Sequence, residues 1–591
     1  MNKQLHQLAV KPLYRNISLD LGSQRDYNLT ALLSPSNPGL KHIRQLRLYF
    51  ANVQDRCNQR LLQANLATRM LIEFLPEDVL EEFSWCPWEP FPADSLLLLY
   101  KKQKRMKWLE VLDMDRDVLP DLKRNPKLQS SVFANARKLA LYPENTRTLE
   151  LAGFLVEKMS DMLEELIVHC SFDPPNRNSR DPSPTRPLSN GLDARELNDS
   201  ATGPGLLTRT IFAHKLPFDK CTPFPKLKSL RLNRVNLRYC ANTWCRLISF
   251  HGLERLRLYY CPGVDSLLGE LSRAAHLPKQ LKTLALQHND NTENECLLAL
   301  DGFLCLVSGL KDLAIDLKDV KTLPAAAGVA RHGKTLEMLN IHASQDAITS
   351  VTMTAATNLN TDTEELVYSI DDFSRICKSC TRLEEFSCAW PHASLIRARN
   401  PEWKAWENAL GHLRQIVTLH ISSLPGSWES PGSRTGVANL PRSMYECLLQ
   451  NLATSMFEVA CTSTCPDRST HAVGGDDQDD GTDPARVRDT ATGSPKLRLL
   501  AFGIAEKIYE REDSRNQLIY VRSTCQDALG QAQIYAAPIG WCMRQFVEPR
   551  SEVLDFIMHR ETTVPCRETA PGSRIVRGGW GDEVDDFEVI A

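Results

Sequence analysis

The pattern apolar-x-x-apolar-x-apolar returns along this chain at a nearly constant step. Its clearest copies read Leu227-Lys-Ser-Leu230-Arg-Leu232, Leu253-Glu-Arg-Leu256-Arg-Leu258, Leu281-Lys-Thr-Leu284-Ala-Leu286, Leu310-Lys-Asp-Leu313-Ala-Ile315 and Leu336-Glu-Met-Leu339-Asn-Ile341. Their first positions stand 26, 28, 29 and 26 residues apart. That step lies within the range of leucine-rich repeats, where each unit is a short strand followed by a returning helix. One such unit cannot bury its own apolar side, so neighbours must stack. The expected fold class is therefore α/β, a leucine-rich-repeat solenoid (horseshoe) with a parallel concave sheet and outer helices.

At 591 residues the chain is longer than one compact core usually serves, and the repeats favour an elongated array over several domains. A helix and lead-in strand over 1–21 precede a first array over 22–171. That array opens at Ile43-Arg-Gln-Leu46-Arg-Leu48 and continues with strands expected near Leu80, Leu109, Ala136 and Leu163, at steps of 29, 27 and 27. Between two of these, Ala93 to Leu109 carries a helical run of Leu96, Leu97, Leu98, Leu99, Tyr100 and Met106 that Asp94 is placed to cap. Residues 172–205 are rich in Pro, Ser, Asn, Asp and Arg and are expected to be a disordered insertion. A second array over 206–424 ends in looser copies at Leu383-Glu-Glu-Phe386-Ser-Cys388 and Ile416-Val-Thr-Leu419-His-Ile421. An irregular helical segment (425–464), a disordered acidic insertion (465–495), a last repeat from Leu497 with a hairpin cap (496–560) and a disordered tail (561–591) complete the reading. The hairpin strands, around Leu518 and Ile534, would cover the open edge of the array.

Seventy basic against 73 acidic side chains leave a net charge of -3, which offers no global field for a polyanion. The expected partners exclude nucleic acid. No apolar run is long enough to span a bilayer, and Met1 opens into a polar segment with no secretory h-region. A cytoplasmic or nuclear monomer with reduced cysteines is expected. Cys377-Lys-Ser-Cys380 has the spacing of half a zinc site but no second pair, so it reads as helical packing. Asp113, Asp115 and Asp117 alternate without the glycine turn or further carboxylates of a calcium loop. Phosphate-loop, dinucleotide, serine-hydrolase and zinc-protease motifs are all absent. No cofactor and no catalytic residue is expected.

In a strand of this pattern the first, fourth and sixth positions point into the core, so the third, fifth and seventh share the other sheet face. In the first array this face collects Gln45, Arg47 and Tyr49; Glu82, Ser84 and Cys86; Val111, Asp113 and Asp115; Lys138, Ala140 and Tyr142; Glu165, Ile167 and His169. In the second it collects Ser229, Arg231 and Asn233; Arg255, Arg257 and Tyr259; Thr283, Ala285 and Gln287; Asp312, Ala314 and Asp316. Arg and Tyr are the side chains most enriched at binding hot spots. Arg231, Arg255, Arg257 and Tyr259, with the acidic pair Asp113 and Asp115, are therefore the candidate partner-binding residues, for a protein substrate held on the concave face. A hydrolytic alternative built from Asp113, Asp115 and His169 fails on distance, since two strand spacings put Asp115 about 10 Å from His169.

The opening segment Leu5-His-Gln-Leu8-Ala9-Val10-Lys-Pro12-Leu13-Tyr14-Arg15, together with the repeats, resembles the fungal F-box proteins with leucine-rich repeats. It is similar to the last helix of an F-box and its exit into the substrate domain, so the F-box is expected truncated to that helix. Pro538-Ile-Gly-Trp541 and the following Val553-Leu-Asp-Phe556 also look like the ending of such chains. In that family the F-box grips the Skp adaptor of a cullin-RING ubiquitin ligase while the repeats hold the substrate. The resemblance implies a non-catalytic substrate receptor with Leu5, Leu8, Leu13 and Tyr14 either meeting the adaptor or capping the first strand. The alternative reading is a repeat scaffold or regulator unconnected to ubiquitin. Leu75-Pro76-Glu77 imitates an F-box start, but Leu80, Phe83 and Trp85 after it fall on the repeat pattern.

Overall fold

The computed structural model describes residues 10–21, 32–34, 37–49, 58–85, 91–111, 118–124, 135–143, 146–170, 202–290, 294–346, 363–391, 395, 401–425, 442–462, 496–503, 517–526 and 530–539. The chain is α/β, divided into two compact units between Lys226 and Leu227. Among the described residues no helix is long and apolar enough to cross a membrane.

In the first unit the strands β1 (Asn16–Asp20), β2 (Gln45–Tyr49), β3 (Glu82–Trp85), β4 (Trp108–Val111), β5 (Lys138–Leu141) and β6 (Glu165–His169) pair in chain order, all parallel. Helices α1 (Asn58–Phe74), α2 (Ala93–Lys102), α3 (Val118–Arg124) and α4 (Thr146–Met159) lie in the crossovers, and α5 (Leu206–Ile211) follows β6. Fourth and sixth positions such as Leu46, Leu48, Phe83, Trp85, Leu166 and Val168 are buried together with Leu96, Leu99, Leu149 and Val156 of the helices. This shared apolar layer is why strand and helix must alternate. Each fully buried Leu or Val contributes about 1.5–3 kcal/mol relative to exposure.

One backbone detail recurs from strand to strand. The carbonyl at the second pattern position accepts two N–H groups from the next strand: Glu81 and Glu82 donate to Arg44, Lys107 and Trp108 to Glu81, Arg137 and Lys138 to Lys107, Glu164 and Glu165 to Arg137. This ladder fixes the register and corrects one expectation. The third copy begins at the buried Met106, not at Leu109, and in the register Val111 pairs with Trp85 instead of standing in the row of Arg47 and Ser84. Met106-Lys-Trp-Leu109-Glu-Val111 and Leu109-Glu-Val111-Leu112-Asp-Met114 both satisfy the pattern locally, and pairing with β3 selects the former. Asp94 likewise lies inside the first turn of α2, whose N-cap is Pro92 and which ends at Lys102. Its carboxylate still faces the positive end of the helix dipole.

The second unit repeats the plan with β7 (Ser229–Asn233), β8 (Arg255–Tyr259), β9 (Thr283–Asn289), β10 (Asp312–Lys318) and β11 (Met338–Asp346), parallel in chain order. A short β12 (Thr363–Glu365) runs antiparallel on the last residues of β11, and β13 (Glu385–Cys388), β14 (Thr418–Ile421) and β15 (Leu499–Phe502) then resume the parallel order. The shared carbonyl persists through Lys228, Glu254, Lys282, Lys311, Glu337, Glu384 and Val417. Insertions therefore lengthen crossovers without shifting strands. The hairpin β16 (Leu518–Gln526) and β17 (Ala532–Ile539) closes the far edge by antiparallel pairing with β15. After β7 and β8 the chain turns through Arg234 and Tyr260 at φ 53° and 49°, and their N–H groups donate to Tyr259 O and Gln287 O. Left-handed backbone at such bulky residues is held by this pairing to the neighbouring strand.

Helices α6 (Ala241–Leu247), α7 (Val264–Leu271), α8 (Glu295–Leu306), α9 (Ala326–Ala330), α10 (Ile370–Ser379), α11 (Pro401–Leu410) and α12 (Arg442–Thr462) fill the crossovers. The segment before the last repeat, expected to be irregular and helical, contains a continuous 21-residue helix. It holds the hairpin: Gln450 Nε2 donates to Ala536 O at 2.7 Å and Ala536 N to Thr454 Oγ1 at 3.0 Å. α10 starts at Ser369, whose hydroxyl accepts from Asp372 N, and buries Phe373, Ile376 and Cys377. Phe373 stacks on Trp406 at 3.8 Å, and Trp390 lies 4.9 Å from Trp403. Cys377 and Cys380 are buried, as helical packing requires, and burial pushes the Cys380 thiol up to about 12. Among the described residues no group of His, Cys, Asp or Glu is arranged to hold a metal.

Candidate functional site

The third, fifth and seventh positions of β7 to β15 share one sheet face, and its two ends differ in chemistry. At the β7–β8 end, Ser229 stands beside Arg255, Arg231 beside Arg257 and Asn233 beside Tyr259. The guanidinium of Arg231 lies over the Tyr259 ring, 5.1 Å from its centroid. Arg231 is only 8 % exposed, while Arg257 is half-buried and Arg255 exposed. The sequence-selected arginines and tyrosine are therefore one cluster, with a fixed cation at the base and two reachable cations above it. Tyr259 also packs with Ala285, Ala314 and Met338, an apolar floor beside the arginines.

Most of this face is less exposed than a polar sheet surface should be. Ser229, Asn233, Thr283, Gln287 and Asp316 are buried although all are polar. Strand spacing explains part of it, because side chains about 4.8 Å apart along each row cover one another. Hydrogen bonds account for Thr283, Gln287 and Asp316: Thr283 Oγ1 donates to Asp312 at 2.8 Å and Gln287 Nε2 to Asp316 at 2.5 Å.

Beyond β10 the face becomes a buried polar network that the sequence reading did not reach. His342 Nε2 lies 2.9 Å from Glu365 Oε1, and its Nδ1 lies 3.8 Å from Asp316 Oδ1. Ser422 Oγ donates to Glu365 Oε2 at 3.2 Å. Burial disfavours ionisation of Glu365, yet the His342 charge, the hydrogen bonds from His342 and Ser422 and the His420 charge together hold its carboxyl below the ordinary value. Next to it Ser387 Oγ is 2.8 Å from His420 Nδ1, and His420 Nε2 is 2.8 Å from Gly503 O. That pair resembles a nucleophile and its base, but Ser387 and His420 are both fully buried, and a backbone carbonyl occupies the place of an orienting carboxylate. Its geometry fastens β13 and β14 to the end of β15. His342, Ser387 and His420 stand at seventh and fifth positions of the repeats starting at Leu336, Leu383 and Ile416, so the rule that found Arg257 also locates them. Glu365 comes from an insertion and carries no such signal.

The first unit carries a different surface. Lys138 stands between Glu82 and Glu165 at 4.0 and 3.6 Å and over the Trp108 ring at 4.9 Å. Trp108 therefore lies on the sheet face and packs against Ala140, Tyr142 and Ile167. His169 is buried with its ring 5.8 Å from Tyr142. Asp113, Asp115, Leu5 and Leu8 lie outside the described residues. Leu13 is strongly exposed on the helical stretch 10–15, whereas the Tyr14 ring packs on Gly39, where a Cβ would stand 2.3 Å from it. No protein-family model matches the chain, and no curated protein matches it either.

Proposed function

We propose that this protein is a non-catalytic recognition subunit, a leucine-rich-repeat solenoid whose sheet face holds a protein partner, and that it serves as the substrate receptor of a Skp-cullin-F-box type ubiquitin ligase. The observation that carries the recognition reading is the β7–β8 cluster, in which Arg231 is fixed on Tyr259 while Arg257 is half-buried and Arg255 exposed. Preorganised Arg and Tyr groups of this kind are what interface hot spots are made of. The ligase half of the reading is supported by the F-box-like segment around Leu13 and Tyr14 at the head of the repeats. Leu13, exposed on that segment, is the side chain available to an adaptor. The alternative, a repeat scaffold unconnected to ubiquitin, keeps the sheet face and dispenses with the adaptor.

Retention of a purified Skp adaptor on the immobilised full chain separates the two. The ligase reading expects stoichiometric capture at micromolar concentration, weakened by Leu13→Asp. Absence of capture removes the ligase and leaves the scaffold.

A further inference from the structure

We infer that the outer face of α1 is the docking site of this chain's own acidic segment 580–591, which orders as an amphipathic helix against it. α1 is apolar on two sides. Ala64, Leu71 and Ile72 are buried on the inner one, while Leu62, Leu66, Met70 and Phe74 are 69, 60, 41 and 50 % exposed. These four follow one another at intervals of four residues, so they form a single stripe along the helix. A helix that is apolar all round is a covered helix. Other crossover helices of the same unit turn charge outward instead: α4 exposes Glu150, Glu157 and Lys158, and α2 exposes Lys101.

Size and charge choose what covers the stripe. The exposed fractions of these four side chains amount to roughly 400 Å², enough to mark an interaction site but about half of what each partner of a stable dimer buries. A second copy is therefore poorly matched, and one short helix is well matched. Lys102 Nζ donates to the carbonyl oxygens of Glu73 and Leu75, and Lys104 N donates to Asp78 Oδ1 at 2.8 Å. The basic run Lys101, Lys102, Lys104 and Arg105 thus borders the Phe74 end of the stripe, and with exposed Arg69 it outnumbers the neighbouring Glu73, Glu77 and Asp78. An acidic occupant complements that border. The segment 580–591 lies outside the described residues, and its sequence, Trp-Gly-Asp-Glu-Val-Asp-Asp-Phe-Glu-Val-Ile-Ala, holds five carboxylates and no basic residue. Asp582 is a favoured N-cap, and Glu583, Asp585 and Asp586 after it suit the positive end of a helix. Val584, Phe587 and Ala591 recur at i, i+3 and i+7 and put one apolar face opposite Asp585 and Asp586. Helices this short are marginal in water, so ordering is coupled to docking on α1. Because the segment is tethered to its site, so small a contact suffices at any protein concentration. Docked on a helix, it leaves the sheet face open to partners.

A photo-crosslinking amino acid at Leu66 of the full-length protein, followed by digestion and mass mapping, tests the contact. An adduct to 580–591 on a product of monomer mass is expected, with none from the same group at the exposed Leu298 of α8. Hydrogen exchange on the full chain supplies a second readout. The amides of 583–591 are expected to exchange about tenfold or more slower than in a free 580–591 peptide, and to lose that protection in Leu66→Asp and in Phe587→Asp. Exchange at the free-peptide rate in the unsubstituted chain overturns the inference, as does protection that survives both substitutions. A product of twice the monomer mass joined through position 66 would assign the face to a second copy, and an adduct to another part of the chain would assign it to that part; either overturns it too.

Discussion

Substituting Glu365 by Gln keeps the shape of the side chain and removes its charge, and the structure sets the size of the effect. The carboxylate accepts from His342 at 2.9 Å and from Ser422 at 3.2 Å, and with Leu366 N bonded to Ala343 O it ties β12 to the end of β11. Hydrogen bonds to a charged partner contribute about 1.5–3 kcal/mol, and a Gln oxygen can still accept one of them. The expected loss is therefore about 1–2 kcal/mol at pH 7, read as a lower urea midpoint with unchanged slope. The pH dependence has a definite sign. Because the folded protein holds the Glu365 carboxyl below its ordinary value of 4.5, the contribution is fully present above that value and is lost as the pH falls through the folded one. The wild type and Glu365→Gln curves should thus converge in acid. Hydrogen exchange over Thr363–Glu365 should quicken in the variant at pH 7. Equal stability at pH 7, or a gap that stays constant into acid, would refute the reasoning.

Other consequences are as concrete. A methyl at Gly333 would stand 2.2 Å from Ser379 O and 2.5 Å from Ser379 C, so Gly333→Ala should cost about 1–3 kcal/mol in thermal unfolding, while Gly252→Ala, with nothing within 4 Å, should stay within about 0.5 kcal/mol. Phe373→Ala removes the ring stacked on Trp406, with an expected loss of about 3–5 kcal/mol and altered tryptophan emission; a variant with unchanged emission would place the ring elsewhere. A maleimide probe at pH 7.5 should label Cys305, Cys447 and Cys525 in the native protein and spare Cys377, Cys380 and Cys388, whose thiols burial pushes up, until the chain is unfolded. Native labelling of Cys380 would contradict the packing of α10.

How far the sequence could be read depended on how many strands each motif had to choose among. From Leu227 to Ile341 the copies are evenly spaced and unambiguous, and β7 to β11 fall on them. Around Leu109 two overlapping copies compete, and only the pairing of Glu81 O with Lys107 and Trp108 decides, which is a long-range fact absent from local spacing. The Arg231–Tyr259 contact was legible because both side chains follow from strand alternation. The burial of that face was not, because covering depends on neighbours four or five ångströms away across strands. Glu365 was illegible for a stronger reason: β12 lies in an insertion, and its position on β11 is fixed by His342 and Ser422 instead of by any repeat.

The central claim is that partners are held on the sheet face and not on the helices. A photo-crosslinking amino acid placed at Arg257 and, separately, at Leu298, an exposed residue of α8, tests this directly on the full chain with a bound partner. The account expects a covalent partner adduct from position 257 and none from position 298. Adducts from 298 with none from 257 would contradict it.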